Sequence, residues 1–241
     1  MVPLFAEPIF HLFGIPITNT LLHTFVVDLL ILAAVFFLRN ITVIPSMFQN
    51  LVEYIVEALY SLTETISPDH ARSIFPYFMS FFLFILVANW TSLLPGFGTI
   101  GIKEHGELIP FLRAATSDVN FTLALAIIAT VATQYLGIKT LGIKHHVGRY
   151  LSWNPIFLFV GLLELLSVFT NIISLSFRLF GNIFAGDVVI TTISGMFAFL
   201  LPIPFLSLEI LVGVVQALVF AMLTMAFMAI LTTPHNEGGE H

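Results

Sequence analysis

The sequence predicts an all-α membrane protein whose helices cross the bilayer several times. Of its 241 residues, 58% are hydrophobic and only 9% are charged, whereas soluble domains carry roughly 25% charged residues. Several near-continuous apolar runs and 26 phenylalanines indicate the same class. No linker or repeat divides the chain, so we expect a single membrane domain over residues 1–241, with a disordered tail at 235–241.

Three membrane spans are predicted in the first part of the chain, because each has about 20 mostly apolar residues. They run from Thr20 to Leu38, from Ile74 to Leu94 and from about Val119 to Leu141. Tyr77 and Trp90 lie near the ends of the second span, as interfacial aromatic residues do. Asp28 lies inside the first span; we favour a hydrogen-bonded partner near the interface over hydration of an outer channel.

An amphipathic helix is predicted at residues 46–66, between the first two spans. Its polar residues share one helical face: Gln49, Glu53, Glu57 and Glu64. Its apolar residues share the other: Phe48, Leu51, Val52, Ile55, Leu59 and Leu62. Such a helix lies flat at the membrane interface or packs on the protein's own loops, and the pattern fits both equally.

The segment at 156–201 is too long for one ordinary span. It contains no proline and as one helix would measure about 69 Å, against a bilayer core of about 30 Å. It is either two spans or one long, tilted or bent helix, and we favour the tilted helix because two spans need a turn near Arg178. Pro202 and Pro204 end it, and a last helix is predicted from about Phe205 to Leu231.

The distribution of basic residues predicts the orientation of the chain. The loops after the first and third spans carry five: Arg39, Arg72, Lys139, Lys144 and Arg149. The loop after the second span carries Lys103 and Arg113. We therefore expect the first set and the C-terminus on the cytoplasmic side of a bacterial inner membrane, or the matching side of an organelle. We expect the N-terminus to lie outside. We also expect it to be retained, since no basic signal-peptide region precedes the first apolar run.

A stripe of polar residues runs along the long helix around Arg178. Residues three or four apart share a helical face, and six polar residues follow that spacing: Glu164, Ser167, Asn171, Ser174, Arg178 and Asn182. A charge at the bilayer centre costs about 2.5 kcal/mol or more and usually marks an ion pathway. A structural salt bridge of Arg178 with Asp187 or Glu209 is the alternative, but it leaves most of the stripe unexplained.

The last helix carries its own polar and small residues. Glu209 and Gln216 are seven apart and share a face. A row of small residues allows another helix to approach closely: Gly213, Ala217 and Ala221. The long helix is thinned in the same way at Gly181, Ala185 and Gly186.

The run RLFGNIFAGD at residues 178–187 resembles the arginine-bearing segment of subunit a of F-type ATP synthases, the membrane stator of the Fo motor. Glu164 and Gln216 extend the likeness, as does TSDVNFTLALA at residues 116–126, and the likeness is detectable from about His23 to the C-terminus. At position 187 many relatives carry glutamate or histidine, whereas this chain has the shorter Asp187.

The resemblance implies a non-catalytic stator that conducts ions, by default protons, through two half-channels. Its implied partners are a ring of c subunits with ion-binding carboxylates, a b-type subunit of the peripheral stalk, the other synthase subunits and the lipid bilayer. Arg178 would face the ring, and Gln216 would orient it by hydrogen bonding. Three residues would lie towards the cytoplasmic exit: Glu164, Ser174 and Asn182. Asp187 and Glu209 would line the outer access.

The family also implies that the long and last helices pack side by side, which creates a problem of register. Arg178 lies 24 residues before Pro202, whereas Gln216 lies 14 residues after it. The surplus must be taken up around residues 192–204, so we predict that the segment before Pro202 departs from a straight helix.

Asp118 and Asn120 begin the third span and either line the outer access or, for Asp118, cap the helix. His145 and His146 fall in a basic loop, where we expect solvation rather than metal binding, since no further ligands are evident. The chain has no Walker-type glycine loop, so we expect no ATP hydrolysis by this chain. It has no cysteine, which excludes thiolate metal sites. We expect no cofactor, no metal and no nucleic-acid partner.

A self-contained secondary transporter is the second functional hypothesis. Its midplane charges would bind a solute, but such transporters usually show two related halves with paired broken helices. The sequence shows no such repeat.

Overall fold

The computed structural model describes residues 8–12, 15–39, 45–94, 101–104, 107–110, 112–150, 155–196 and 202–233. In these residues the chain forms seven α-helices and two short β-hairpins. Five of the helices are long and apolar enough to cross a membrane. The predicted class, an all-α polytopic membrane protein, is confirmed.

The predicted helices agree with the observed bounds to within three residues at each end, except that α6 is described only to Met196, five residues short of the predicted end. They are α1 (Asn19–Leu38), α2 (Met47–Ile66), α3 (Ala71–Ser92), α4 (Val119–Leu141), α5 (Ile143–Tyr150), α6 (Pro155–Met196) and α7 (Pro202–Thr232). Side-chain oxygens of Thr18, Ser46 and Asp118 cap the first turns of α1, α2 and α4, as polar residues do at helix starts. Gly142 ends α4 with a positive φ of 82°. The short helix α5 was not predicted.

The long tract forms one helix, as predicted. The 42 residues of α6 extend about 63 Å, so α6 cannot stand upright within a hydrocarbon core of about 30 Å. Residues 192–196 are still helical, because α6 continues to Met196. The rest of the departure predicted before Pro202 falls on residues 197–201, which lie outside the described residues, as does the predicted tail.

Two short antiparallel hairpins were not predicted. Strands β1 (Pro8–Leu12) and β2 (Ile15–Thr18) pair before α1, and β3 (Gly101–Glu104) pairs with β4 (Glu107–Pro110) between α3 and α4. Backbone donors and acceptors outside a helix need partners, and strand pairing provides them locally. The apolar periodicity used to find spans gives no signal for strands this short.

The core lies between α3, α4, α6 and α7. Phe78 and Ile85 of α3 and Phe220 and Met225 of α7 belong to this core and are fully or almost fully buried. The rings of Phe81 and Phe220 lie 5.9 Å apart between the two helices. The row of small residues on α7 allows this approach: Ala217 and Ala221 are completely buried, and a Cβ at Gly213 would lie 3.2 Å from Asn89 Cβ. The close helix packing predicted for this row is confirmed.

The amphipathic helix α2 divides into two halves. Leu59, Leu62 and Ile66 pack against the core, and the ring of Tyr60 meets that of Phe75 at 5.1 Å. The first half exposes a continuous apolar surface: Met47, Phe48, Leu51, Tyr54 and Ile55. One half of α2 thus packs on helices of the protein itself, and the other presents an apolar face suited to the membrane interface.

Candidate functional site

Arg178 lies on the exposed side of α6, away from the core. Its Nη2 donates a hydrogen bond to Ser174 Oγ at 3.3 Å. Across the described parts of the chain, neither an acidic side chain nor Gln216 pairs with this guanidinium. Arg178 therefore forms no salt bridge with Asp187 or Glu209, so the structural alternative is wrong for the described residues. The predicted hydrogen bond from Gln216 is also not formed, because Arg178 points out of the bundle.

A cavity of about 260 Å³ lies between α4, α5, α6 and α7, at the end where α4 finishes and α6 begins. We call this the inner end, after the predicted orientation, and the opposite end the outer end. Its polar lining comes from α4, α5, α6 and α7: Thr130, Thr133, Gln134, Tyr150, Glu164, Ser167, Asn171 and Thr224. The first half of the polar stripe thus faces a cavity, whereas Ser174, Arg178 and Asn182 are exposed on the surface.

Three apolar residues of α6 form a buried layer in the stretch between the first half of the polar stripe and the outer acids. Leu175, Leu179 and Ile183 of α6 are 5%, 1% and 2% exposed. One polar contact crosses the layer, where Thr122 Oγ1 lies 3.1 Å from Ser176 Oγ. Asn182 lies one turn past Arg178, on the side away from the cavity, so it does not lie towards the inner exit as the sequence suggested.

The two outer acids predicted from the sequence lie together. Glu209 of α7 is 6% exposed, and its carboxylate packs against the backbone at Gly186, where a Cβ would collide with it. Asp187 follows directly on α6 and interacts electrostatically with Glu209. Only glycine at position 186 leaves room for the Glu209 carboxylate beside α6.

A buried turn before α4 faces Asp187. The residues from Arg113 to Asp118 are all buried, and Ala115–Ser117 form a 3₁₀ turn. Ser117 and the Arg113 guanidinium both interact electrostatically with the Asp187 carboxylate. Arg113 Nη2 also donates to the Ser117 carbonyl oxygen at 3.3 Å. The outer acids thus have a polar partner and a second cation beside them.

His23 connects three elements at the outer end. Its Nδ1 accepts a hydrogen bond from the Ala115 backbone N–H at 2.9 Å, which requires this nitrogen to be unprotonated. Its Nε2 therefore carries the proton and donates to Thr91 Oγ1 at 2.8 Å. The imidazole joins α1 to α3 and to the buried turn.

Several buried polar atoms near the outer end have no protein partner in the described residues. They are the amide oxygen and nitrogen of Asn19, Oδ1 of Asn89 and Oγ1 of Thr116. Buried polar groups of this kind are usually satisfied by ordered water. They would bind ordered water at the outer end, although the residues there are packed. In this sense the outer end is hydratable.

A family model described as ATP synthase A chain matches residues 20–229. This range includes the polar stripe, both outer acids and all polar lining residues of the inner cavity. The chain belongs to the ATP synthase A chain family. Together with five apolar helices, membership makes it an integral, multi-pass membrane protein of the ion-translocating Fo sector, which works in association with other synthase subunits during ATP synthesis.

Three other residues of this A chain were considered as candidates for the outer access: Asp118, Asn120 and Asp28. Asp118 is buried and caps α4, accepting a hydrogen bond from the Asn120 backbone N–H at 3.0 Å; its second oxygen accepts one from Thr20. Asn120 is exposed. Asp28 is exposed on α1 and, within the described residues, forms no hydrogen bond, so the predicted partner is not formed.

The prediction of a solvated loop at His145 and His146 is wrong for His146. This residue belongs to α5, is 5% exposed and hydrogen-bonds Gln134. Its burial could not be predicted, because Gln134 lies a dozen positions away on another helix. In the described part of the A chain, no three His, Cys, Asp or Glu side chains gather as a metal site would require.

Sequence reasoning missed several polar residues of this site. His23, Asn89 and Gln134 were all counted as parts of apolar spans, yet each is polar and turned into the bundle. Polar residues in a span usually face the interior, so this signal was available. Arg113 and Ser117 lie outside the spans and could be located only by the fold.

Proposed function

We propose that this A chain is the proton-conducting stator of a rotary ATP synthase, with Arg178 facing the ring of c subunits between two half-channels. The single observation that carries the proposal is the position of Arg178. It is a permanent cation without an acidic partner in the described residues, exposed on the protein surface, between an inner polar cavity and an outer pair of acids.

The inner cavity supplies the cytoplasmic half-channel in this proposal. It is lined by Glu164, Ser167 and Asn171, which precede Arg178 on the same helical face. At about 30 Å³ per water molecule, a cavity of about 260 Å³ has room for a short chain of waters. A proton released from the ring would leave through it.

The outer acids supply the opposite half-channel. Asp187 and Glu209 exchange protons with the outer solution through the hydratable region around the buried turn and pass them to an ionised ring carboxylate. The buried layer of Leu175, Leu179 and Ile183 keeps the two half-channels apart. A proton can then cross only by travelling with the ring.

Arg178 acts on the ring carboxylate by electrostatics. At a separation of 4 Å and an effective dielectric constant of 20, opposite charges attract by about 4 kcal/mol. This attraction favours the ionised carboxylate while it passes Arg178. The ring site therefore releases its proton on one side of the guanidinium and reloads on the other, and the fixed charge blocks a direct leak.

ATP-driven proton pumping in membrane vesicles tests this role. Arg178→Ala should abolish pumping in a complex that still contains the A chain and the ring, because α6 over Pro155–Met196 carries no other arginine or lysine. Asp28→Asn, on the exposed face of α1, is the control and should pump normally. Normal coupled pumping by the Arg178→Ala complex would falsify the proposal.

The predicted orientation and membrane complete the proposal. The N-terminus lies outside, the C-terminus lies in the cytoplasm, and the membrane is a bacterial inner membrane. A b-type stalk subunit holds the chain against the turning ring.

A further inference from the structure

Three side chains form a hydrogen-bonded cluster at the inner end; two of them line the cavity, and the third, His146, has no role in the mechanism above. His146 Nε2 lies 2.7 Å from Gln134 Oε1. The Gln134 amide nitrogen donates to Tyr150 Oη at 3.2 Å, and Tyr150 Oη lies 3.3 Å from Gln134 Oε1. We call these residues the inner cluster. It joins α4, which carries Gln134, to α5, which carries the other two.

The imidazole of His146 is held tightly in place. It is 5% exposed and meets the Tyr150 ring edge-on, at 5.5 Å between centroids. On its other side it lies against Gly137, where a Cβ would come within 3.2 Å of its Cε1. Because Gln134 Oε1 can only accept a hydrogen bond, Nε2 of His146 carries a proton and is the donor.

The inner cluster forms part of the cavity wall. Gln134 and Tyr150 line the cavity opposite Glu164 and Ser167 of α6, whereas His146 lies behind them. The direction of the Gln134 amide and the Tyr150 hydroxyl decides whether this wall offers polar groups to water. His146 fixes that direction through its hydrogen bond to Gln134.

We propose that His146 is a positioning residue of the inner half-channel, which keeps the cavity hydrated by holding Gln134 and Tyr150 in place. This inference rests on the proposed function, since it assumes that the cavity conducts protons. It differs from proton carriage by His146 itself, because only a donor at the Nε2 position is required. It also differs from simple attachment of α5 to α4, which would not control the reactivity of a side chain inside the cavity.

The absence of native cysteine allows a direct test in the assembled complex. A Ser167→Cys reporter is placed in the cavity. Its reaction with a small, water-soluble thiosulfonate is measured in inverted vesicles, in which the inner end of the protein faces the added reagent. Passive proton flux is measured in the same vesicles after removal of the soluble catalytic part. His146→Leu should lower both rates by about five- to tenfold, the factor to which one lost buried hydrogen bond corresponds.

Two conservative variants separate positioning from the alternatives. His146→Gln places an amide N–H where the imidazole Nε2 donates and should stay within about twofold of the parent in both rates. His146→Asn is polar but too short to reach Gln134, so it should behave like leucine. If the leucine variant fails to assemble, the comparison of glutamine with asparagine decides. His70→Leu, a half-buried histidine at the start of α3, is the control and should change neither rate.

The outcomes distinguish this inference from the proposed function. Unchanged Ser167→Cys reactivity in His146→Leu, or equal behaviour of the glutamine and asparagine variants, would overturn the positioning role. If Arg178→Ala has meanwhile abolished pumping, the proposed function stands. Normal pumping by Arg178→Ala would instead overturn the proposed function, whatever the cluster does.

Discussion

Among single residues, the role proposed for Arg178 depends on what surrounds its side chain. The side chain has one hydrogen bond, to Ser174, and is exposed at the protein surface. A buried cation without an acid would be strongly destabilising, whereas an exposed one can be satisfied by an acid supplied by a partner. The arrangement therefore suits a cation that meets successive carboxylates, rather than one that holds its own helices together.

Arg178→Lys should lose most coupled pumping although it preserves the charge. Lysine lacks the planar fork of the guanidinium and loses its proton more readily in an apolar setting. The expected drop in ATP-driven pumping is about 10² or more, comparable to the loss of one preorganised charged donor. Pumping at half the parental rate or better would mean that charge alone is sufficient.

Removal of both outer acids should slow proton uptake from the outer side. Asp187→Asn together with Glu209→Gln keeps the shapes of the side chains but removes proton-binding groups that lie together. We expect passive proton flux through the stripped complex to fall at least about tenfold. Glu53→Gln on the exposed face of α2 is the control. Flux at the parental level would make the outer assignment wrong.

At the scale of elements, packing fixes the relation of α6 to α7 and of α1 to the bundle. Gly186 allows the Glu209 carboxylate to lie against α6. His23 attaches α1 through its outer end, where Asn19, Thr20 and Val27 are also buried, while the rest of α1 is mostly exposed. At the outer end, the contact at Gly186 thus holds α7 against α6, and His23 holds α1 against the bundle.

Gly186→Ala should weaken the contact between α6 and α7. A Cβ there collides with the Glu209 carboxylate, and overpacking of this kind costs about 1–3 kcal/mol. The variant complex should lose its A chain at lower temperature during heating in detergent. Gly195→Ala, on the same helix with open space around its Cβ, should match the parent. Equal loss from both variants would exclude the predicted collision.

His23→Ala should loosen α1. The substitution removes hydrogen bonds to Thr91 and to the Ala115 backbone N–H, and unsatisfied buried partners cost about 1–3 kcal/mol. The melting temperature of the purified complex should fall, and α1 should become more sensitive to protease. Asp28→Asn, exposed on the same helix, is the control and should leave both properties unchanged. An unchanged melting temperature for His23→Ala would show that the hydrogen bonds of His23 contribute little to stability.

At the scale of the whole molecule, the span count and the single long helix could be predicted because a bilayer imposes a length and an apolar composition on each crossing helix. The polar stripe followed from helical spacing alone. The hairpins were not predicted, because apolar periodicity gives no signal for strands this short. Helix α5 and the buried turn at Arg113–Asp118 could not be predicted, since they depend on contacts between distant segments. The cavity also needed the fold, because it combines the stripe with Gln134 of α4 and Thr224 of α7.

The orientation of the whole chain can be tested with single cysteines on α4, because the chain has none of its own. Asn120 and Thr140 are both exposed, near the two ends of this helix. A membrane-impermeant thiol reagent should label Asn120→Cys from outside in intact cells and Thr140→Cys only in inverted vesicles. The reverse pattern would invert the assignment of the two half-channels.

The most direct measurement is cross-linking of the Arg178 face to the ring. Asn182→Cys, one turn from Arg178 on the exposed side of α6, is paired with a cysteine one turn from the ring carboxylate and oxidised in membranes. Ile173→Cys, exposed on a different side of the same helix, serves as the control. We predict a disulfide-linked product for Asn182→Cys and little for Ile173→Cys. A product from the control alone would mean that Arg178 faces away from the ring.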